Sequence, residues 1–89
     1  MEPIVGARYY HFKDRTKEYE VLGRALHTET GEHLVVYRPL YAGAATSLFV
    51  RPLTMFLEVV SKPAYGYHGP RFIVVAIAPE EGAETILPG

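Results

Sequence analysis

The chain has 89 residues, the length of one domain and too short for two separate cores, with nine Lys and Arg against ten Asp and Glu. That balance supplies no overall basic field to hold a nucleic-acid backbone by charge alone, and a composition 48% hydrophobic and 21% charged excludes a disordered chain. The lack of cysteine excludes disulfides, thiolate nucleophiles and Cys-type zinc sites together.

In chain order, Met1 to Tyr9 holds no long apolar run, because Arg8 interrupts the only candidate. Neither a secretory signal nor a membrane span is read there, and a cytoplasmic protein is expected; the cysteine-free composition fits a reducing compartment. Arg8 to Phe12 reads as the first strand, since Tyr9, Tyr10 and Phe12 favour a pleated backbone, and Lys13 to Lys17 reads as a charged turn. Glu18 to Thr28 is the second strand. Its alternation breaks where Leu22 and Leu26 share a face with Glu20 and Arg24, so a bulge or bend is predicted at Gly23.

Thr28 to Glu32 is a turn in which Gly31 can take φ > 0, and His33 to Leu40 returns as a strand. The continuous run Leu34, Val35, Val36, Tyr37 predicts that this strand is covered on both faces. Ala42 to Ser47 is an exposed loop, and Ser47 to Arg51 is a strand. Pro52 opens one helical turn, with Leu53, Phe56, Leu57 and Val60 at helical spacing, followed by a strand through Leu57 to Val60. Lys62 to Pro70, with two Gly and two Pro, is a loop or wide hairpin connection, and Arg71 to Ala78 is the last strand, stopped by Pro79.

Short strands at close spacing predict a small β-barrel of about five strands with one helical turn over residues 1–78, followed by an acidic tail over 79–89. Parallel βαβ architecture is not expected, because no connection offers a crossover helix of about ten or more residues. A domain this small leaves room for a surface groove or shallow pocket rather than a deep catalytic cavity.

The stretches Tyr9-Tyr10-His11-Phe12-Lys13, Tyr19-Glu20-Val21-Leu22-Gly23, His27-Thr28-Glu29-Thr30, Leu34-Val35-Val36-Tyr37-Arg38 and Val50-Arg51-Pro52-Leu53-Thr54-Met55-Phe56 resemble the bacterial family catalogued as domain of unknown function 1653. The resemblance covers roughly residues 6 to 72 and implies an SH3-like β-barrel; it implies no activity. Phe49 stands where that family commonly carries an indole, Thr54 where it commonly carries a Glu, and the loop at Ala42 to Ser47 is enlarged.

Among chemically capable residues, the four histidines come first, since an imidazole can serve as acid, base or ligand. His27 and Glu29 form a His-x-Glu, but zinc-deaminase chemistry also needs a Pro-Cys-x-x-Cys that a cysteine-free chain cannot supply. No His pair has the spacing of a metal site, so no metal or other cofactor is predicted. With only Ser47, Ser61 and Asp14 available, and no Gly-x-Ser-x-Gly, a hydrolase triad is not expected.

The most informative group is aromatic and cationic: Tyr9, His11, His27, Tyr37, Arg38, Tyr41 and Arg51, with Glu29 beside His27. Tyr offers a rigid face with a polar tip, and Arg a planar fork for carboxylate or phosphate. These residues predict a binding module for an anionic or peptide-like partner, with a peptide, a small anion or single-stranded nucleic acid as the classes considered. Two alternatives belong to other classes: an acid–base enzyme using His11 or His27 with Glu29, and self-association through a strand edge near Phe72 to Ala78.

Overall fold

In the computed structural model, which describes residues 2–77, the aromatic and β-branched runs form seven strands. These are β1 (Ala7–His11), β2 (Asp14–Leu26), β3 (His33–Pro39), β4 (Phe49–Pro52), β5 (Val59–Lys62), β6 (Tyr67–Pro70) and β7 (Phe72–Ile77). A single helical turn, α1 (Leu53–Phe56), follows β4, and a 3-10 turn over Pro63–Tyr65 joins β5 to β6. Five strands form one antiparallel sheet in the order β4-β3-β2-β1-β7, and β5 with β6 makes a separate two-stranded ribbon. The fold is mostly β, as expected. Among the described residues, β4 and β7 share no backbone ladder, so hydrogen bonding does not close the sheet into a complete barrel.

Register places one side chain in two from each strand on a common inner face. Tyr9 lies opposite Tyr19, Val21 opposite Tyr37, Tyr37 opposite Phe49, and Val35 opposite Arg51. Ala7, Tyr9, Val21, Val35, Tyr37 and Phe72 are buried there, and α1 lays Phe56 over them. Phe56 stacks on Phe72 with ring centroids 4.3 Å apart and meets the Tyr9 ring edge-on at 5.4 Å. Pro52 fits the start of α1 because its missing N–H is not needed at a helix entrance, and Leu57 closes the turn with an N–H donated to Leu53. The outer face is polar where β1, β2 and β3 adjoin: Arg8 pairs with Glu18 at 3.2 Å and Arg38 with Glu20 at 2.6 Å.

Several elements differ from the sequence reading. Asp14 to Lys17 is not a turn but the start of β2, and the β1–β2 turn shrinks to two residues, since His11 lies opposite Asp14. Charged residues are accepted because this end of β2 is solvent-exposed, and Asp14 fastens it by accepting hydrogen bonds from the Thr16 backbone N–H and hydroxyl. β3 is not covered equally on both faces. Val35 and Tyr37 are buried, Leu34 and Val36 are half-buried and Arg38 is exposed. The strand after α1 begins at Val59, because Leu57 still belongs to the helical turn. Part of the predicted loop over Lys62 to Pro70 is strand β6: Gly66, at φ 61°, takes the left-handed conformation that reverses the chain. The bend expected at Gly23 is present as a register shift between Val21 and Gly23. Ala78, the stop at Pro79 and the acidic tail lie outside the described residues.

Candidate functional site

The alternation of β4 sets Phe49 and Arg51 on the inner face, at the end of the sheet where the apolar core stops. Arg51 is half-buried there. Its guanidinium carbon lies 5.2 Å from the centroid of the Phe72 ring, and its Nε donates to the Tyr37 hydroxyl at 3.3 Å. Because Arg51 belongs to β4 and Phe72 to β7, this contact spans the two ends of the sheet that no backbone ladder joins. Ion pairing occupies Arg8, Arg24, Arg38 and Arg71, whereas no carboxylate lies within 4.0 Å of Arg51 among the described residues. With Nε engaged by Tyr37, the two terminal amino groups of the fork are left to donate.

His11 stands opposite Phe72 in the β1–β7 ladder, with its ring edge-on to Phe72 at 5.1 Å. Its Nδ1 accepts the Lys13 backbone N–H at 3.2 Å, which puts the proton of the neutral ring on Nε2. Burial, followed by the positive charges of Arg51, Arg71 and Lys13, pushes its pKa down to about 4. The ring is therefore neutral at pH 7, a hydrogen-bond donor at Nε2 and a weak base.

Three tyrosines complete the wall. The Tyr19 and Tyr41 hydroxyls are 3.3 Å apart, and the Tyr19 ring meets Tyr37 edge-on at 5.4 Å and Tyr41 at 5.5 Å. Burial, reinforced by the Tyr41 hydrogen bond and by Tyr41, Tyr37 and Asp14 nearby, holds the Tyr19 hydroxyl well above the usual phenol range. All of its chemistry near neutrality is that of a protonated hydroxyl. Lys17 lies over the Tyr41 ring at 5.3 Å, and Phe49 packs 5.7 Å from Tyr37. Arg71 borders the group. It pairs with Glu58 at 2.8 Å, and its buried Nε has no hydrogen-bond partner among the described residues.

The eight residues singled out by sequence thus separate into four places. His11, Tyr37, Tyr41 and Arg51 come together. Tyr9 belongs to the core, with its hydroxyl accepting the Ile4 backbone N–H at 3.0 Å. Arg38 is on the outer face, engaged by Glu20 through Nε at 2.8 Å. His27 and Glu29 sit in the β2–β3 turn, where His27 Nδ1 accepts backbone N–H groups of Glu29 at 3.3 Å and Thr30 at 3.4 Å.

His27 therefore organises its own turn. Among the described residues no imidazole lies within 4.0 Å of a carboxylate, and no group of three metal-ligating side chains is found. Sequence reasoning missed Tyr19, Phe72 and Arg71 as members of the site. Tyr19 alternates with Val21 along β2, a pattern that sequence cannot tell from core, and the last two reach His11 only through a pairing some sixty positions distant in sequence.

A cleft of about 400 Å³ lies against the core and is lined by Glu2, Ile4, Tyr9, Phe56, Leu57 and Phe72 among others. Its lining is mostly apolar and includes none of Arg51, His11, Tyr19 or Tyr41.

Comparison with known proteins agrees with this architecture. The family profile DUF1653, described as a protein of unknown function, matches residues 7–74. A crystal structure of a DUF1653 protein from Bordetella bronchiseptica is similar at a TM-score of 0.69 and 35% identity, covering 80% of this chain and 86% of that one. No curated protein matches the chain.

Proposed function

The chain belongs to the DUF1653 family, whose description assigns no activity, and from that premise we propose that it is a binding module that recognises an anionic group on its partner. One observation carries the reading: Arg51 is a half-buried guanidinium, oriented by Phe72 and Tyr37, with no carboxylate of its own among the described residues. Holding a cation in this way costs solvation, and an incoming anion returns that cost as charge-assisted hydrogen bonds. The arrangement suits recognition better than acid–base catalysis, because a base with a pKa of about 4 is poorly matched to proton transfer near neutrality.

The contact between Arg51 and Phe72 across the sheet ends supports an SH3-like barrel completed by side chains, with the site at its seam. A cytoplasmic, bacterial setting fits the cysteine-free composition and the bacterial source of the similar structure.

The test is a titration with acetate, inorganic phosphate, oligothymidylate and short acidic peptides. Arg51→Ala should weaken the bound anion by at least about tenfold, the scale of one charge-assisted hydrogen bond, while Arg38→Ala leaves affinity unchanged. Equal effects of the two substitutions, or none from either, would overturn the proposal.

A further inference from the structure

Resting on the reading above, the geometry points to a carboxylate as the group bound at Arg51, received end-on by the two terminal amino groups of the guanidinium with the Nε2–H of His11 as an additional donor. Charge decides between the candidate anions. Within the site, Arg71 is already neutralised by Glu58 and His11 is uncharged near pH 7, which leaves Arg51 as the free guanidinium among the described residues. Lys13 and Lys17 are exposed and lie over the rings of Tyr65 and Tyr41. A carboxylate carries one charge and matches that inventory. A phosphate monoester carries roughly −1.5 to −2 at pH 7, leaving much of its charge uncompensated beside a half-buried aromatic wall.

Shape agrees with charge. A carboxylate is planar and takes two parallel bonds from one fork, whereas a tetrahedral phosphate needs donors converging from several directions. Tyr37 and Phe72 hold the fork at its Nε side and over one face, so the direction left for a ligand is along the guanidinium plane. The Tyr19 and Tyr41 rings stand next to Tyr37 and offer apolar contact to whatever carries the carboxylate. Both a free small carboxylate and the carboxylate of a peptide present this chemistry.

The His11 ring reports on occupancy, because the charges facing it come from three elements: Arg51 on β4, Arg71 ahead of β7 and Lys13 in the β1–β2 turn. Its NMR signals should be followed in the full chain during titration with acetate, a peptide with a free C-terminus, the same peptide amidated, and inorganic phosphate. Saturable shifts with acetate, accompanied by a rise in the His11 pKa as a negative charge arrives, support the assignment. Tighter binding of the free-acid peptide than of acetate identifies a peptide source, and equal affinities identify a small carboxylate.

Arg51→Lys keeps the charge and loses the fork, so acetate affinity should drop about tenfold. Undiminished affinity in that variant overturns the proposal. Phosphate binding more tightly than acetate in the wild-type chain overturns the carboxylate assignment but leaves anion recognition standing, and no response to any anion overturns both. The wild-type comparison of acetate with phosphate does not depend on how any variant folds.

Discussion

At His11 a single ring records the polarity of its surroundings. Its folded pKa of about 4 lies below the ordinary value of 6.5, so between these limits the unfolded chain takes up a proton that the native ring refuses. The ring's contribution to stability is therefore largest above pH 6.5, falls as pH drops towards 4, and levels off below that. Solvent screening of the half-exposed ring limits the contribution to about 1 kcal/mol. Urea unfolding at stepped pH should show a shallower loss across this window for His11→Asn than for wild type, and identical slopes would contradict the charge environment assigned to the ring. The exposed pair Arg38–Glu20 belongs to the other extreme, where breaking the contact costs about 1 kcal/mol at most.

Among the elements, the β5–β6 ribbon depends most on its attachments, since two strands alone are marginal in water. Phe12, in the β1–β2 turn, stacks on Tyr67 at 4.9 Å and meets Tyr65 edge-on at 5.6 Å. Backbone bonds from Phe12 to Arg71 and from Arg71 to Glu58 fix the ribbon to the sheet. Phe12→Ala should accelerate hydrogen exchange at the amides of β5 and β6 while those of β2 and β3 stay protected. Uniform acceleration would mean that the ribbon and sheet open as one unit.

The same elements show what sequence could tell. The turn at Gly31 was legible because φ 77° is a conformation glycine takes freely, and the bulge at Gly23 because the apolar alternation breaks there. Strand at Asp14 to Lys17 and at Tyr67 to Pro70 was not legible. Apolar patterning reports burial, and these segments remain largely exposed: Asp14 pairs with His11 and is followed by a register shift over residues 15–17, while β6 pairs with β5 through the backbone. Of the site, Arg51, Tyr37, Tyr41 and His11 were visible as residue types suited to recognition. Their separation from Arg38, His27 and Glu29 required the register, which decides the face each side chain takes.

Over the whole molecule, one aromatic cluster does what backbone pairing leaves undone. Phe56 touches rings from β1, β3 and β7, and Arg51 extends that contact to β4. Phe56→Ala removes the ring at the centre of this cluster and should cost about 3–5 kcal/mol, a large part of the roughly 5–15 kcal/mol that stabilises a domain. Chemical denaturation should show it; a loss below about 1 kcal/mol would mean that the sheet holds its curvature without the plug.

A sheet whose two ends meet through side chains, not amide bonds, has a clasp. Its two halves, Arg51 on β4 and Phe72 on β7, meet through one guanidinium–ring contact, and the proposed anion would be held on that joint. On the proposed reading, an anion that steadies the Arg51 guanidinium also steadies this seam, so occupancy of the site and order at the sheet ends rise together.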